Sequence, residues 1–333
     1  MNQKRWIATG LFVAILLMQV FLLPTTTAAL FSRDADRTRD NVVVYREGQE
    51  DGIAFLRLEG MILDVGGAAP FSPPGYQHQR FLRQLEQAFS SPEYKAVVLY
   101  VNSPGGGIYE SDEIYQKIES LKEEYNKPFV VYMSRLAASG GYYVSAPADW
   151  IVANRNTITG SIGVVISGLN VAELMERYGI KDQTIASGEN KTILSPFQEM
   201  QPEQRAIIQS IVDESYGFFV DVVAKGRNMD RDQVMAVADG RVYSGYQALE
   251  NGLVDEIGFL ETAFLAAAEQ AGLQDPTIYT FRADQQGWML RLFSSVPVLD
   301  KVFGFGDHAA IGFTSELLRR GTEGPMPMYL WEW

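Results

Sequence analysis

The sequence predicts an α/β fold built on a mostly parallel sheet. Short β-rich apolar runs alternate with helical stretches, the pattern of strands connected by covering helices. Two small-residue turns, each following an apolar strand and opening a helix, lie one βα step apart. No internal repeat is visible, which argues against a solenoid. In chain order, residues 53–58 read as a strand and 75–90 as a helix with Phe81, Leu85 and Phe89 on one face. Residues 95–101 read as a buried strand, 110–124 as a helix and 129–133 as a strand, and a helix begins at Ser139. A long helix follows over 202–225, with Ile207, Ile208, Ile211, Val212, Tyr216, Phe219 and Val223 near helical spacing in a stripe wide enough to bury.

The chain divides into four parts. Lys4 and Arg5 precede an uncharged apolar run from 6 to 23. As a helix this run extends about 27 Å, close to the hydrocarbon thickness of a bilayer. Residues 1–30 are therefore expected to be a membrane anchor or a long signal sequence, with Thr27-Ala28-Ala29 a tolerable cleavage site. In either case the basic residues favour a cytoplasmic N-terminus and place the rest of the chain outside. Residues 31–52 carry mixed charge and read as a solvated linker, 53–272 as the globular part, and 273–333 as an extension with an apolar tail. The Gly- and Pro-rich stretch 64–75 reads as a mobile surface loop.

Composition removes several function classes. There is no cysteine, so a thiol nucleophile is excluded, and the only two histidines, His78 and His308, poorly supply a zinc site or a His-based triad. A net charge of -13, without a basic patch, argues against nucleic-acid binding. The turn Asn102-Ser103-Pro104-Gly105-Gly106-Gly107 lacks both the Lys-Ser/Thr end of a Walker motif and the spacing of a dinucleotide fingerprint. Taken alone it is a tight turn or an anion site made of backbone N–H groups. The second turn, Ala137-Ala138-Ser139-Gly140-Gly141-Tyr142-Tyr143, places one hydroxyl among small residues at a strand end. Ser139 there is an ordinary helix N-cap or a nucleophile. On neighbouring parallel strands the two turns share one sheet edge, where N–H groups near Gly106 and from Gly140 can form an oxyanion hole. Acyl transfer is then the natural reaction class.

Four motifs in order, Asn102-Ser103-Pro104-Gly105-Gly106-Gly107, Ala137-Ala138-Ser139-Gly140-Gly141, Thr159-Gly160-Ser161-Ile162-Gly163-Val164 and Asp239-Gly240-Arg241-Val242-Tyr243, resemble the signal peptide peptidase A family. So does Gly252-Leu253-Val254-Asp255-Glu256-Ile257-Gly258. The resemblance implies a caseinolytic-protease and crotonase-like spiral domain, preceded by one transmembrane helix, in a membrane-bound bacterial serine protease. It further implies a Ser/Lys dyad of Ser139 as nucleophile and Lys191, in Ser187-Gly188-Glu189-Asn190-Lys191-Thr192-Ile193-Leu194-Ser195-Pro196, as general base. Ser161 would orient the lysine, and Gly106 and Gly140 would supply the oxyanion N–H groups. No cofactor or metal is implied.

An ammonium cannot accept a proton, so a lysine base must sit where burial disfavours its charge. In an extended strand Glu189 would share a face with Lys191 and oppose this, so a turn must lead the carboxylate away. The family's short members assemble rings in which neighbouring protomers share each dyad, so a homo-oligomeric ring is expected, tethered to membrane lipid by the N-terminal helix. The implied substrates are signal-peptide remnants and other apolar peptides with small or apolar side chains near the cut. Rival functions are a protease acting on a stomatin-like membrane partner, an acyl-CoA enzyme of the same fold, and a non-enzymatic membrane scaffold. The apolar C-terminal tail, ending Tyr329-Leu330-Trp331-Glu332-Trp333, reads as a small docking element or a substrate mimic for the active-site groove.

Overall fold

Nine strands join one mixed sheet whose central pairings are parallel. A computed structural model describes residues 41–64 and 76–282. The expected membrane segment, the loop over 65–75 and the tail beyond 282 lie outside these residues. Among the described residues no helix is long and apolar enough to cross a membrane.

The strands are β1 (Asn41–Arg46), β2 (Glu50–Glu59), β3 (Tyr94–Ser103), β4 (Phe129–Ala138), β5 (Trp150–Ala153), β6 (Ile158–Gly160), β7 (Val242–Ser244), β8 (Glu256–Ile257) and β9 (Pro276–Arg282). Their order is β1-β9-β2-β3-β4-β5-β8, with β6 branching from β4 and β7 pairing antiparallel to β6. The helices that position the site are α1 (His78–Ser90), α2 (Ile108–Tyr125), the single turn α3 (Gly140–Tyr143), the short α4 (Ala172–Arg177) and α5 (Pro202–Arg227). Three more follow, α6 (Arg231–Val237), α7 (Gly245–Glu250) and α8 (Leu260–Ala271).

The α/β expectation holds, and the strand interiors show why the sheet is covered on both sides. Val97, Leu99 and Val101 of β3 join a cluster that includes Phe81, Leu85 and Phe89 of α1 and Ile114 and Ile118 of α2. Ala96 and Val98 face the other way, against Phe264, Ala267 and Ala268 of α8. Such strands read as near-continuous apolar runs.

The sheet also reaches beyond both ends of the expected globular part. β1 and the start of β2 come from the segment expected to be a linker, and β9 comes from the expected extension. Mixed charge obscured the first: Glu50 is spent on anchoring, its Oε2 accepting the Gln274 N–H at 2.6 Å and the Asp275 N–H at 3.2 Å.

The long helix departs from expectation along half its length. Phe219, Val220, Val222 and Val223 are buried, but Ile207 and Ile211 are 36% and 46% exposed. Its N-terminal half carries an apolar stripe that the other described residues leave uncovered.

Asp255, from the Gly252 to Gly258 motif, has a structural task. Its Oδ2 accepts the Ile151 N–H at 2.7 Å, and its Oδ1 accepts Arg227 Nη2 at 2.5 Å. The Arg227 side chain is only 7% exposed. Asp255→Ala would leave that guanidinium buried without its counter-charge, with the Gly252 carbonyl still accepting its Nε–H at 3.2 Å, so it is expected to destabilise the fold by about 3 kcal/mol, read as a lowered denaturant midpoint.

Candidate active site

Everything at the candidate site follows from what happens to β4 near its end. Val101 pairs with Met133 and Ser103 with Ala137, so β4 advances four residues while β3 advances two. The extra residues form a bulge, which bends a strand and re-aims its side chains. Thr157 Oγ1 donates to the carbonyl oxygens of Met133 and Ser134, at 2.9 and 2.5 Å, satisfying the backbone at the bend. Before the bulge β4 pairs with β5; after it, Leu136, Ala137 and Ala138 pair with Ile158, Thr159 and Gly160 of β6. Ser139 and Ser161 are thus the next residues on adjacent parallel strands.

Both serines have a backbone conformation rare for residues with a side chain. Ser139 has φ 53° and ψ -123°, and Ser161 has φ 49°. Five non-glycine residues among those described have positive φ. Two, Asn126 and Asn228, are helix C-caps, where asparagine is well tolerated. The remaining three, Ser139, Ser161 and Leu194, all fall in the motifs singled out from the sequence. Strain of this kind costs about 1–3 kcal/mol per residue and persists only where its surroundings enforce it.

Those surroundings are visible. The Ser139 N–H donates to the Gly160 carbonyl at 2.9 Å, and its own carbonyl accepts the Tyr142 and Tyr143 N–H groups, each at 2.9 Å. The Ser161 N–H donates to the Arg241 carbonyl at 2.8 Å. This is the task of the Asp239-Gly240-Arg241 motif, in which the Arg241 guanidinium holds the Asp239 carboxyl down to about 2. Ser139 is not an ordinary N-cap: its dihedrals are not extended and its side chain makes no cap hydrogen bond. Among the described residues neither the Ser139 nor the Ser161 hydroxyl has a hydrogen-bond partner.

The glycine turns meet around Ser139 as expected from their position at one sheet edge. Gly105, at φ 96°, approaches so closely that a Cβ there would lie 2.5 Å from Gly140 N and 2.9 Å from Ser139 Cβ. Ile62 donates its N–H to the Gly105 carbonyl at 2.9 Å and accepts the Gly107 N–H at 2.8 Å. In this parallel pairing Gly106 directs its own N–H away from Ile62. A side chain on Gly140 would come within 3.2 Å of Gly106 N. The Gly140 N–H opens α3 and has no intrahelical acceptor. A strained serine hydroxyl with two backbone N–H groups beside it can attack a carbonyl while those groups receive the negative charge.

Lys191 is placed apart from this constellation. It lies on a 3-10 turn over Glu189–Thr192 and is exposed, and among the described residues its ammonium makes no hydrogen bond or ion pair. The burial expected of a lysine base is not supplied by the described residues, and those around the turn project into solvent: Ile185 is 98% and Phe197 48% exposed. The turn answers the concern about Glu189. Three residues per turn put Glu189 and Lys191 on different faces, and the Glu189 carbonyl is tied to Gln204 Nε2 at 2.7 Å.

His78 is buried in a separate chain of contacts, with Nδ1 2.6 Å from the Tyr76 hydroxyl and Nε2 2.7 Å from Glu113 Oε2. His308 lies outside the described residues. Among the described residues no group of three or more His, Cys, Asp or Glu is placed to hold a metal.

Residues near the site that the sequence reading did not single out are Ile62, Ser111 and Asp112, and Ser103, quoted in the turn motif, was given no role of its own. Ser103 Oγ accepts the Gly105 N–H at 3.1 Å, and Asp112 Oδ1 accepts the Tyr143 hydroxyl at 2.8 Å. Burial and the neighbouring Asp112 push the Tyr143 phenol well above its ordinary range, so it remains a donor. The available signal was proximity to the glycine turn.

Comparison with known proteins decides the family. The chain is 42% identical over 301 residues to a protein designated signal peptide peptidase SppA from Enterococcus faecium, covering 86% of this chain and 87% of that one. The chain belongs to the signal peptide peptidase A family. Residues 122–274, which include Ser139, Ser161 and Lys191, match peptidase family S49. The chain is also 35% identical over 229 residues to the chloroplastic serine protease SPPA of Arabidopsis thaliana, and 35% over 233 residues to Protease 4 of Haemophilus influenzae. These matches cover 68% and 70% of this chain but 33% and 37% of those longer proteins. Members of this family are serine-type peptidases, and so is this chain. The mixed α/β sheet fits that family's fold.

Proposed function

We propose that the chain is a membrane-anchored endopeptidase of the spiral fold that degrades cleaved signal peptides and similar apolar peptides with a Ser/Lys dyad. The observation that carries this reading is the strained Ser139, held with an unpartnered hydroxyl between two glycine turns. Ser139 attacks the scissile carbonyl, and the N–H groups of Gly106 and Gly140 receive the developing oxyanion. Lys191 takes the serine proton and returns it to the leaving amine, with Ser161 orienting its amine. The fit to apolar peptides rests on the small residues at the turn and on apolar side chains exposed beside it. Ile108 is 49% and Tyr109 72% exposed. The test is hydrolysis of a synthetic signal peptide by the full-length protein, with Ser139→Ala as control.

The base is completed by a second copy. Lys191 lacks cover in one chain, while the segment bearing it and the first half of α5 both expose apolar side chains, among them Leu169, Ile185, Ile207 and Ile211. Packing these surfaces against a neighbouring protomer removes apolar area from water and desolvates the lysine in the same step. A ring of such contacts, tethered by the 6–23 segment, holds its sites near the membrane surface. Replacing Ile207 and Ile211 by Asp is expected to dissolve the oligomer in size-exclusion chromatography with light scattering, and peptidase activity should fall with it.

A further inference from the structure

Among the described residues, one buried side-chain polar atom lacks a hydrogen-bond partner: the hydroxyl of Ser111. The residue is 3% exposed, in the first turn of α2, where its N–H donates to the Gly107 carbonyl at 3.1 Å. Its hydroxyl fills the space where a Cβ of residue 140 would stand, and Gly106 N lies 3.2 Å from the same point. The unpaired hydroxyl therefore lies against Gly140, at a point that Gly106 N also borders. Buried hydroxyls are almost always paired, because burial without a partner costs stability. One left unpaired beside a catalytic turn calls for a role in the reacting complex.

The hydroxyl is closed to solvent, so a substrate oxygen entering from the groove does not reach it. Its O–H is nevertheless free to rotate, since nothing in the resting structure holds it. We propose that Ser111 is a positioning residue for the oxyanion hole: it braces Gly140 from behind, and its unpaired O–H dipole turns toward the negative charge that develops on the far side of that glycine. The interaction is worth little with bound substrate and more in the transition state, which is the condition for accelerating the chemical step. It also gives Gly140 a steric reason to be glycine, since any side chain there would displace the Ser111 hydroxyl.

This assignment, which rests on the Ser139 reading, is tested in the full-length oligomer with Ser111→Ala and Ser111→Thr. The readouts are kcat and KM on a signal-peptide substrate, affinity for a peptide aldehyde that forms a tetrahedral adduct, and melting temperature. Loss of one direct oxyanion donor costs about 100- to 1,000-fold in kcat, so Ser111→Ala, acting indirectly, is expected to cost about tenfold. KM should change little, aldehyde affinity should fall by the same factor as kcat, and the melting temperature should hold or rise because an unpaired buried polar group is removed. Ser111→Thr, which keeps the hydroxyl, should recover most of the loss. An unchanged kcat overturns the assignment, as does lost folding in Ser111→Ala or a kcat loss without the parallel loss of aldehyde affinity. An active Ser139→Ala protein would defeat both readings. An inactive Ser139→Ala protein beside a fully active Ser111→Ala protein would defeat the Ser111 assignment alone.

Discussion

Ser139→Ala is expected to abolish hydrolysis of a signal-peptide substrate, lowering kcat by a factor on the order of 10,000 or more, as removal of a serine nucleophile does elsewhere. Fluorophosphonate labelling should vanish as well, while the melting temperature stays at or above that of the wild type. The backbone supports this combination. At φ 53° the residue stores strain without using its hydroxyl for folding. The bonds that hold the turn run through its N–H and carbonyl, to Gly160 and to Tyr142 and Tyr143. Alanine keeps every one of them. A Ser139→Ala protein that still cleaves the peptide at an appreciable rate would remove Ser139 as the nucleophile.

Lys191→Ala should be equally inactive, and Lys191→Arg no better, because a guanidinium stays protonated and cannot act as a base. The larger consequence concerns mixtures. If each site takes its serine from one protomer and its lysine from a neighbour, random rings of Ser139→Ala and Lys191→Ala subunits regain about a quarter of wild-type activity, since half the sites have the intact serine and half of those meet an intact lysine. A dyad formed within one chain regains nothing. The exposure of Lys191 and its separation from the Ser139 turn favour the shared arrangement, because among the described residues nothing holds its side chain at the site. Verified mixed oligomers without recovered activity would sink it.

How legible the site was depended on the physical range of each determinant. Apolar runs and glycine turns are local, so the strands carrying the site and the glycines flanking Ser139 could be read directly. The four-residue helix after Ser139 was expected only as a helix start, and what its residues pack against is distant in sequence, as in the Tyr142 hydroxyl donating to the Leu253 carbonyl at 2.8 Å. The outer strands were missed for a similar reason. β9 alternates polar and apolar residues that read as solvent-facing until the register sets Ile53 beside Ile278 and Phe55 beside Thr280, and the short apolar run of β1 is hidden by the charged residues around it. Ser111 carried no local mark, since a serine in a helix is unremarkable until its hydroxyl is found without a partner beside Gly140.

By itself, the sequence determined the α/β alternation, the absence of thiol chemistry, the two turns at one sheet edge and the motifs that place the chain in its peptidase family. Each of these depends on residue type and short spacing, which a linear chain displays in full. Only the tertiary structure decided between an N-cap and a strained, unoccupied hydroxyl at Ser139, because φ and ψ there are imposed by Gly160, Gly105 and the β4 bulge together. It alone showed that the described residues leave Lys191 and half of the α5 stripe without cover, since burial is a property of what packs nearby and no single segment encodes it.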